Sequence, residues 1–161
     1  MIFTEGTIIM HKNAVGHTRE QIVQQVLDKE PSIADYDSYV PIGDAVKKLT
    51  KWKSYRAEIF YLTSRRKLEE IDKIKSVLKR YNFPDGQLLF RQEDEKYKDV
   101  AEKIMPDILV EDDCESIGGT EEMVITHINL ILKTQIVSLP VREFSGIDHL
   151  ENKISAYLQK K

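Results

Sequence analysis

Asp107-Ile108-Leu109-Val110-Glu111-Asp112-Asp113-Cys114-Glu115-Ser116-Ile117-Gly118-Gly119 is the stretch whose reading decides the fold. Ile108, Leu109 and Val110 form a short continuous apolar run, the pattern of a strand buried on both faces of a parallel sheet. Three carboxylates, Glu111, Asp112 and Asp113, follow where such a strand must end. Packed closely at neutral pH, they repel one another unless a cation or a proton is shared. A hard divalent ion, most simply magnesium, is the usual occupant of such an oxygen cluster. Acidic runs are more often solvated loops. Position lifts this one, because ligands of open α/β sheets bind just beyond the carboxyl ends of the strands.

Upstream, the same strand-and-turn grammar repeats. Glu58–Leu62 is a strand followed by the polar turn Thr63-Ser64-Arg65-Arg66, and Lys67–Tyr81 is a helix with Leu68, Ile71, Ile74, Val77 and Leu78 on one side. Asn82–Gly86 is a turn, Gln87–Arg91 a third strand and Glu93–Met105 a helix leading into the acidic strand. Alternation of this kind predicts right-handed crossovers and a three-layer, Rossmann-like α/β fold with a parallel sheet. The first strand is the stub Met1–Thr4, followed by Glu5-Gly6-Thr7 and the apolar run Ile8–Met10. Thr18 and Gln21 form a capping box for a helix carrying Ile22, Val23, Val26 and Leu27, which Pro31 ends. Pro41 opens a second helix through Tyr55, with Ala45, Val46, Leu49 and Trp52 at helical spacing. The whole excursion Met10–Tyr55 is too long for a plain crossover, and predicts a small helical insertion over the sheet. Downstream, His127–Lys133 has helical character, Ile136–Val141 is a fifth strand and Ile147–Leu158 a final amphipathic helix.

Composition sets the outer limits. A chain of 161 residues with 41% hydrophobic and 32% charged residues reads as one soluble domain with a single core. Its net charge of -3 gives no electrostatic argument for nucleic acid or an anionic membrane. No apolar run is long enough to cross a bilayer, and no basic-plus-apolar leader precedes the first strand, so a cytoplasmic location is expected. Cys114 is the single cysteine, which excludes an internal disulfide or a thiolate zinc cage.

Four features fall in order along the strands: Glu5-Gly6-Thr7, Thr63-Ser64-Arg65, Lys96 or Lys98, and Glu111-Asp112-Asp113. A hydroxyl at a strand-to-helix turn, backed by the amides that follow it, is a natural phosphate seat. A lysine adds positive charge to the same oxyanion, and carboxylates hold a metal that neutralises the rest. Singly these are bland, since a Thr-Ser pair is more often only a cap and a helical lysine more often solvated.

Taken together, the order resembles the haloacid dehalogenase-like superfamily over Met1 to about Val141. Leu62-Thr63-Ser64-Arg65 is similar to its second motif, Val110–Ile117 to its fourth, and Met10–Tyr55 stands where its cap is inserted. The resemblance implies phosphate binding by Thr63, Ser64, Arg65 and Lys98, with Lys96 the competing lysine. It implies magnesium held by Glu5, Glu111 and Asp112, a phosphorylated small-molecule ligand, and catalytic roles for Glu5, Thr63 and Lys98. The first motif departs from the family: Gly6-Thr7 aligned on the family's Gly-Thr puts Phe3 at the nucleophilic aspartate and Glu5 at the acid/base aspartate. A phenyl ring cannot attack phosphorus, and Thr4 points to the opposite side of the strand. Three readings stay open: hydrolysis with reduced or altered chemistry, a silent relative that binds a phosphorylated ligand or partner, or an interaction protein with an acidic surface loop. The remaining candidates are plainer. His11 and His17 read as loop residues, Trp52 and Tyr55 as packing, and Cys114 beside three acids as a thiol of raised pKa.

Overall fold

The computed structural model describes residues 1–160. Its framework is an all-parallel five-stranded sheet formed by β1 (Ile2–Phe3), β4 (Phe60–Leu62), β5 (Gln87–Leu89), β6 (Ile108–Asp112) and β7 (Val137–Val141), in the order β5-β4-β1-β6-β7. The remaining strands, β2 (Ile9–Met10) and β3 (Val40–Pro41), pair antiparallel and apart from it. Alternation along the strands splits the core in two. Ile2, Tyr61 and Val110 face one layer, while Phe3, Leu62 and Leu109 face the other. α2 (Ala45–Ser54) and α3 (Leu68–Arg80) cover the first face through Leu49, Trp52, Ile74 and Val77. α4 (Tyr97–Ile104) and the single turn α5 (Val124–His127) cover the second through Val100, Ala101, Val124 and Ile125.

That division fixes where a ligand can enter. The chain leaves β1 through α2 toward β4 on one face, and leaves β6 through α5 toward β7 on the other. β1 and β6 are neighbours whose connections part, so a crevice opens between them at their carboxyl ends. Gly6 makes the tight exit from β1 possible. Its φ of +80° is left-handed, and a Cβ there would lie 2.9 Å from Asp112 Oδ2.

Several sequence boundaries move for identifiable reasons. Thr18 and Gln21 form the expected capping box on α1 (Arg19–Leu27). Pro41 lies in β3 rather than opening a helix, and α2 begins at Ala45. Within the stretch Met10–Tyr55, α2 belongs to the sheet's flanking layer, with Ala45, Leu49 and Trp52 in the core. The expected helix from Glu93 starts at Tyr97, where Asp99 accepts the Lys96 amide at 2.7 Å. His127–Lys133 divides into α5 and α6 (Leu130–Lys133), with extended Ile128 between them.

Ile147–Leu158 is not one helix. Ile147 and Leu150 do reach the core, but Gly146 is left-handed and the side chain of Asp148 accepts the Asp44 amide at the head of α2, at 3.0 Å to each oxygen. Glu151 carbonyl accepts the Trp52 indole N–H at 2.8 Å, and Leu150 carbonyl accepts Lys48 Nζ. The apolar spacing there serves a clamp on α2, and a 3-10 helix, Ile154–Lys160, follows it. Among the described residues no helix is long and apolar enough to cross a membrane.

Candidate functional site

A cleft of about 420 Å³ sits over the carboxyl ends of the strands, a size suited to a small molecule. The exits of all five parallel strands bring residues toward it: Phe3 at the end of β1 and Glu5 after it, Ser64 and Arg65 after β4, Arg91 after β5, Asp112 at the end of β6, and Glu143 after β7. The guanidinium groups lie past β4 and β5, the carboxylates Asp112 and Glu143 past β6 and β7.

The Thr63 turn holds an anion, and the anion is the chain's own Glu5. Thr63 Oγ1 donates to Glu5 Oε1 at 2.7 Å and the Ser64 amide donates to Oε2 at 3.2 Å. Arg65 Nε lies 3.3 Å from Oε1, and the Thr4 hydroxyl donates to the same carboxylate. Thr63 is itself oriented by the Arg65 amide, which donates to its hydroxyl at 3.1 Å. Arg65 is braced in turn. Its guanidinium donates to Ser64 Oγ and Tyr36 OH and lies 4.6 Å over the Tyr36 ring. Three of the four residues expected at a phosphate seat are therefore together, with Glu5 inside it. Neither Lys98 nor Lys96 lines the cleft.

The acidic run behaves as three separately satisfied groups. Glu111 is 2% exposed and accepts the Val124 and Ile125 amides at 2.7 and 3.0 Å, so it caps α5. Asp112 accepts the Thr7 hydroxyl at 2.7 Å and the Cys114 amide at 3.0 Å. Asp113 accepts two bonds from Arg19 Nη2, at 3.1 and 3.2 Å, and a third from the Glu143 amide. Arg19 also donates to the Glu143 carbonyl and pairs with Glu115, which fastens α1 over the end of β6. Glu143 accepts the Ser116 amide and hydroxyl, both at 2.7 Å.

Burial dominates the titration of this end. It pushes Glu111 from 4.5 up to about 7, with Asp112 adding to the rise and the two amides opposing it. Asp112 and Glu143 are raised for the same first reason, each helped by neighbouring carboxylates.

Magnesium can be tested against this donor set. Both Glu111 oxygens are spent on a helix end, Asp112 on a hydroxyl and an amide, and Glu5 on donors that include a guanidinium. Among the described residues no three carboxylate, imidazole or thiol groups converge on one point. As placed, Glu5, Glu111 and Asp112 face separate partners and form no shared carboxylate cluster.

Phe3 lines the cleft but belongs to the core. It is 9% exposed and meets Tyr97 edge-on at 5.2 Å between ring centres. Arg91, which the sequence reading passed over, stacks its guanidinium 3.7 Å over the Tyr97 ring and donates to the Tyr97 hydroxyl at 2.9 Å. A cation at the carboxyl end of the third strand was the available signal. Glu143 and Arg19 were also passed over; each lies far in sequence from the partners it meets. His11, read as a loop residue, is buried at the cleft wall, its Nε2 2.9 Å from Gln25 Oε1. No protein-family model, curated protein or solved structure matches the chain.

Proposed function

We propose that the protein is a non-hydrolysing relative of the haloacid dehalogenase-like phosphatases that binds a phosphorylated small molecule in the cleft. One observation carries the reading: a hydroxyl, a backbone amide and a guanidinium converge on a single carboxylate at the strand-to-helix turn. That donor set suits an oxyanion, and Glu5 stands in for the phosphoryl group. Hydrolysis through a covalent intermediate needs a nucleophile in line with the phosphorus, and the residue beside the seat is the packed ring of Phe3. Glu5 itself is committed to the seat's donors, which lowers its use as a base.

The experiment pairs turnover with binding. Phosphate release from a broad panel of phosphate monoesters, with magnesium and with chelator, is expected to stay at the protein-free background. Calorimetric titration with inorganic phosphate is expected to show binding that Thr63→Val, an isosteric loss of the hydroxyl, weakens. Magnesium-dependent phosphate release by the wild type would overturn the silent reading, and binding indifferent to Thr63→Val would overturn the seat.

A further inference from the structure

Arg91 carries an anomaly that the seat alone does not explain. Its Nε is the one buried side-chain nitrogen or oxygen without a hydrogen-bond partner among the described residues. A sealed, unpaired N–H is costly and rare in native proteins, and each case calls for a reason. The guanidinium is parked on the Tyr97 ring at the wall of the cleft, and among the described residues its one bond runs from Nη2 to the Tyr97 hydroxyl. Arg65 and Arg66 follow the adjacent strand, and their charges together with burial hold the Arg91 guanidinium below its ordinary pKa. Glu5 pairs with Arg65, whereas among the described residues Arg91 has no carboxylate partner. Cations gathered in this way gain from an anion placed between them, and a guanidinium presents paired N–H groups that match the oxygens of a phosphoryl group.

We infer that Arg91 is a ligand-binding residue, and that Arg91 and Arg65 form a metal-independent clamp for the phosphoryl group received by the Thr63–Ser64 turn. This rests on the reading of the seat given above. The clamp supplies the positive charge that magnesium and a lysine would otherwise bring, consistent with carboxylates that face other partners and with lysines that lie away from the cleft. On binding, the Arg91 guanidinium turns from Tyr97 into the cleft, its Nε–H gains an acceptor, and Glu5 leaves the seat. No bond is made or broken covalently.

The test titrates the full chain with inorganic phosphate and with phenyl phosphate, in chelator and in magnesium, using wild type, Thr63→Val, Arg91→Lys and Arg91→Met. Binding is expected in chelator with the same affinity as in magnesium. Both Arg91 variants are expected to weaken it by about 10- to 100-fold, the worth of a hydrogen bond to a charged group. The Nε–H resonance of Arg91, followed by nitrogen-15 NMR, is expected to shift on adding phosphate, which an arginine with only a packing role would not do. Binding lost in Thr63→Val but unchanged in both Arg91 variants, with a static Nε–H signal, would overturn the clamp and leave the seat standing. Binding that appears only with magnesium would overturn the metal-independent part alone. Absence of binding to the wild type under both conditions would overturn the seat, and the clamp with it.

Discussion

Removing Glu5 should make the cleft bind phosphate more tightly. In the structure the Glu5 carboxylate is an internal competitor: it takes the Thr63 hydroxyl at 2.7 Å, the Ser64 amide at 3.2 Å and Arg65 Nε at 3.3 Å. One good hydrogen bond to a charged group contributes about 1.5–3 kcal/mol net, and the two longer contacts add little. The seat is then held shut by about 2 kcal/mol, equivalent to roughly a 30-fold penalty on an incoming anion. A phosphate dianion entering beside a displaced carboxylate also meets like-charge repulsion, which Glu5→Ala abolishes, so both effects have the same sign. Calorimetric titration with inorganic phosphate should show affinity rising by about 30-fold in Glu5→Ala relative to wild type. A general base or a metal ligand at this position predicts the opposite, loss of turnover or of metal-assisted binding. Weaker or unchanged phosphate affinity in Glu5→Ala would refute the reasoning.

Phe3→Asp should damage the fold: the variant loses a ring packed against Tyr97 and places a carboxylate in the core, a cost of about 4 kcal/mol that lowers Tm by about 10 °C. Thermal melting checks this, and an unchanged Tm would contradict it. Stability should fall as pH rises from about 4.5 to about 7, since the folded chain keeps the Glu111 proton to about 7 while the unfolded chain releases it near 4.5. That shift corresponds to about 3 kcal/mol, and urea midpoints across the window should slope less in Glu111→Gln than in wild type. Equal slopes would remove Glu111 as the source. Burial, with Asp112 and Glu111 beside it, pushes the Cys114 thiol up, so iodoacetamide at pH 8 should modify the folded protein at least about tenfold more slowly than free cysteine; mass spectrometry reads the difference, and equal rates would rule it out.

The layers of the fold were legible because they rest on local patterns. The unbroken apolar run Ile108–Val110 marked a strand buried on both faces, Glu58–Leu62 marked another strand, and the spacing of Ile71, Ile74, Val77 and Leu78 marked α3. Elements that depend on distant partners were not legible. Ile147 and Leu150 have helical spacing, yet Asp148 and the carbonyls of Leu150 and Glu151 serve α2 instead of a helix of their own. The site shows the same limit. Thr63, Ser64 and Arg65 were found as a turn after a strand, and they do gather. The acidic run was found as a cluster, but adjacency in sequence does not mean convergence in space. Alternating side chains and separate partners send Glu111 to α5, Asp112 to Thr7 and Asp113 to Arg19. Arg91 and Glu143 enter only when five strand ends are brought side by side, which no local pattern encodes.

The grip of residues 148–151 on α2 also orders events during synthesis. Asp44 and Asp148 are 104 positions apart, and Lys48 and Leu150 are 102. At a ribosome adding roughly 5–20 residues per second, α2 has emerged well before the segment that secures its N-terminal turn and its tryptophan. The first crossover helix must therefore wait, with Leu49 and Trp52 lacking part of their cover, until most of the sheet has left the tunnel. Contacts of this separation slow folding and lengthen the time that apolar surface is exposed to other chains. Truncation ahead of Asp148 would leave a nascent chain with every strand made and α2 unsecured, a natural substrate for a holding chaperone.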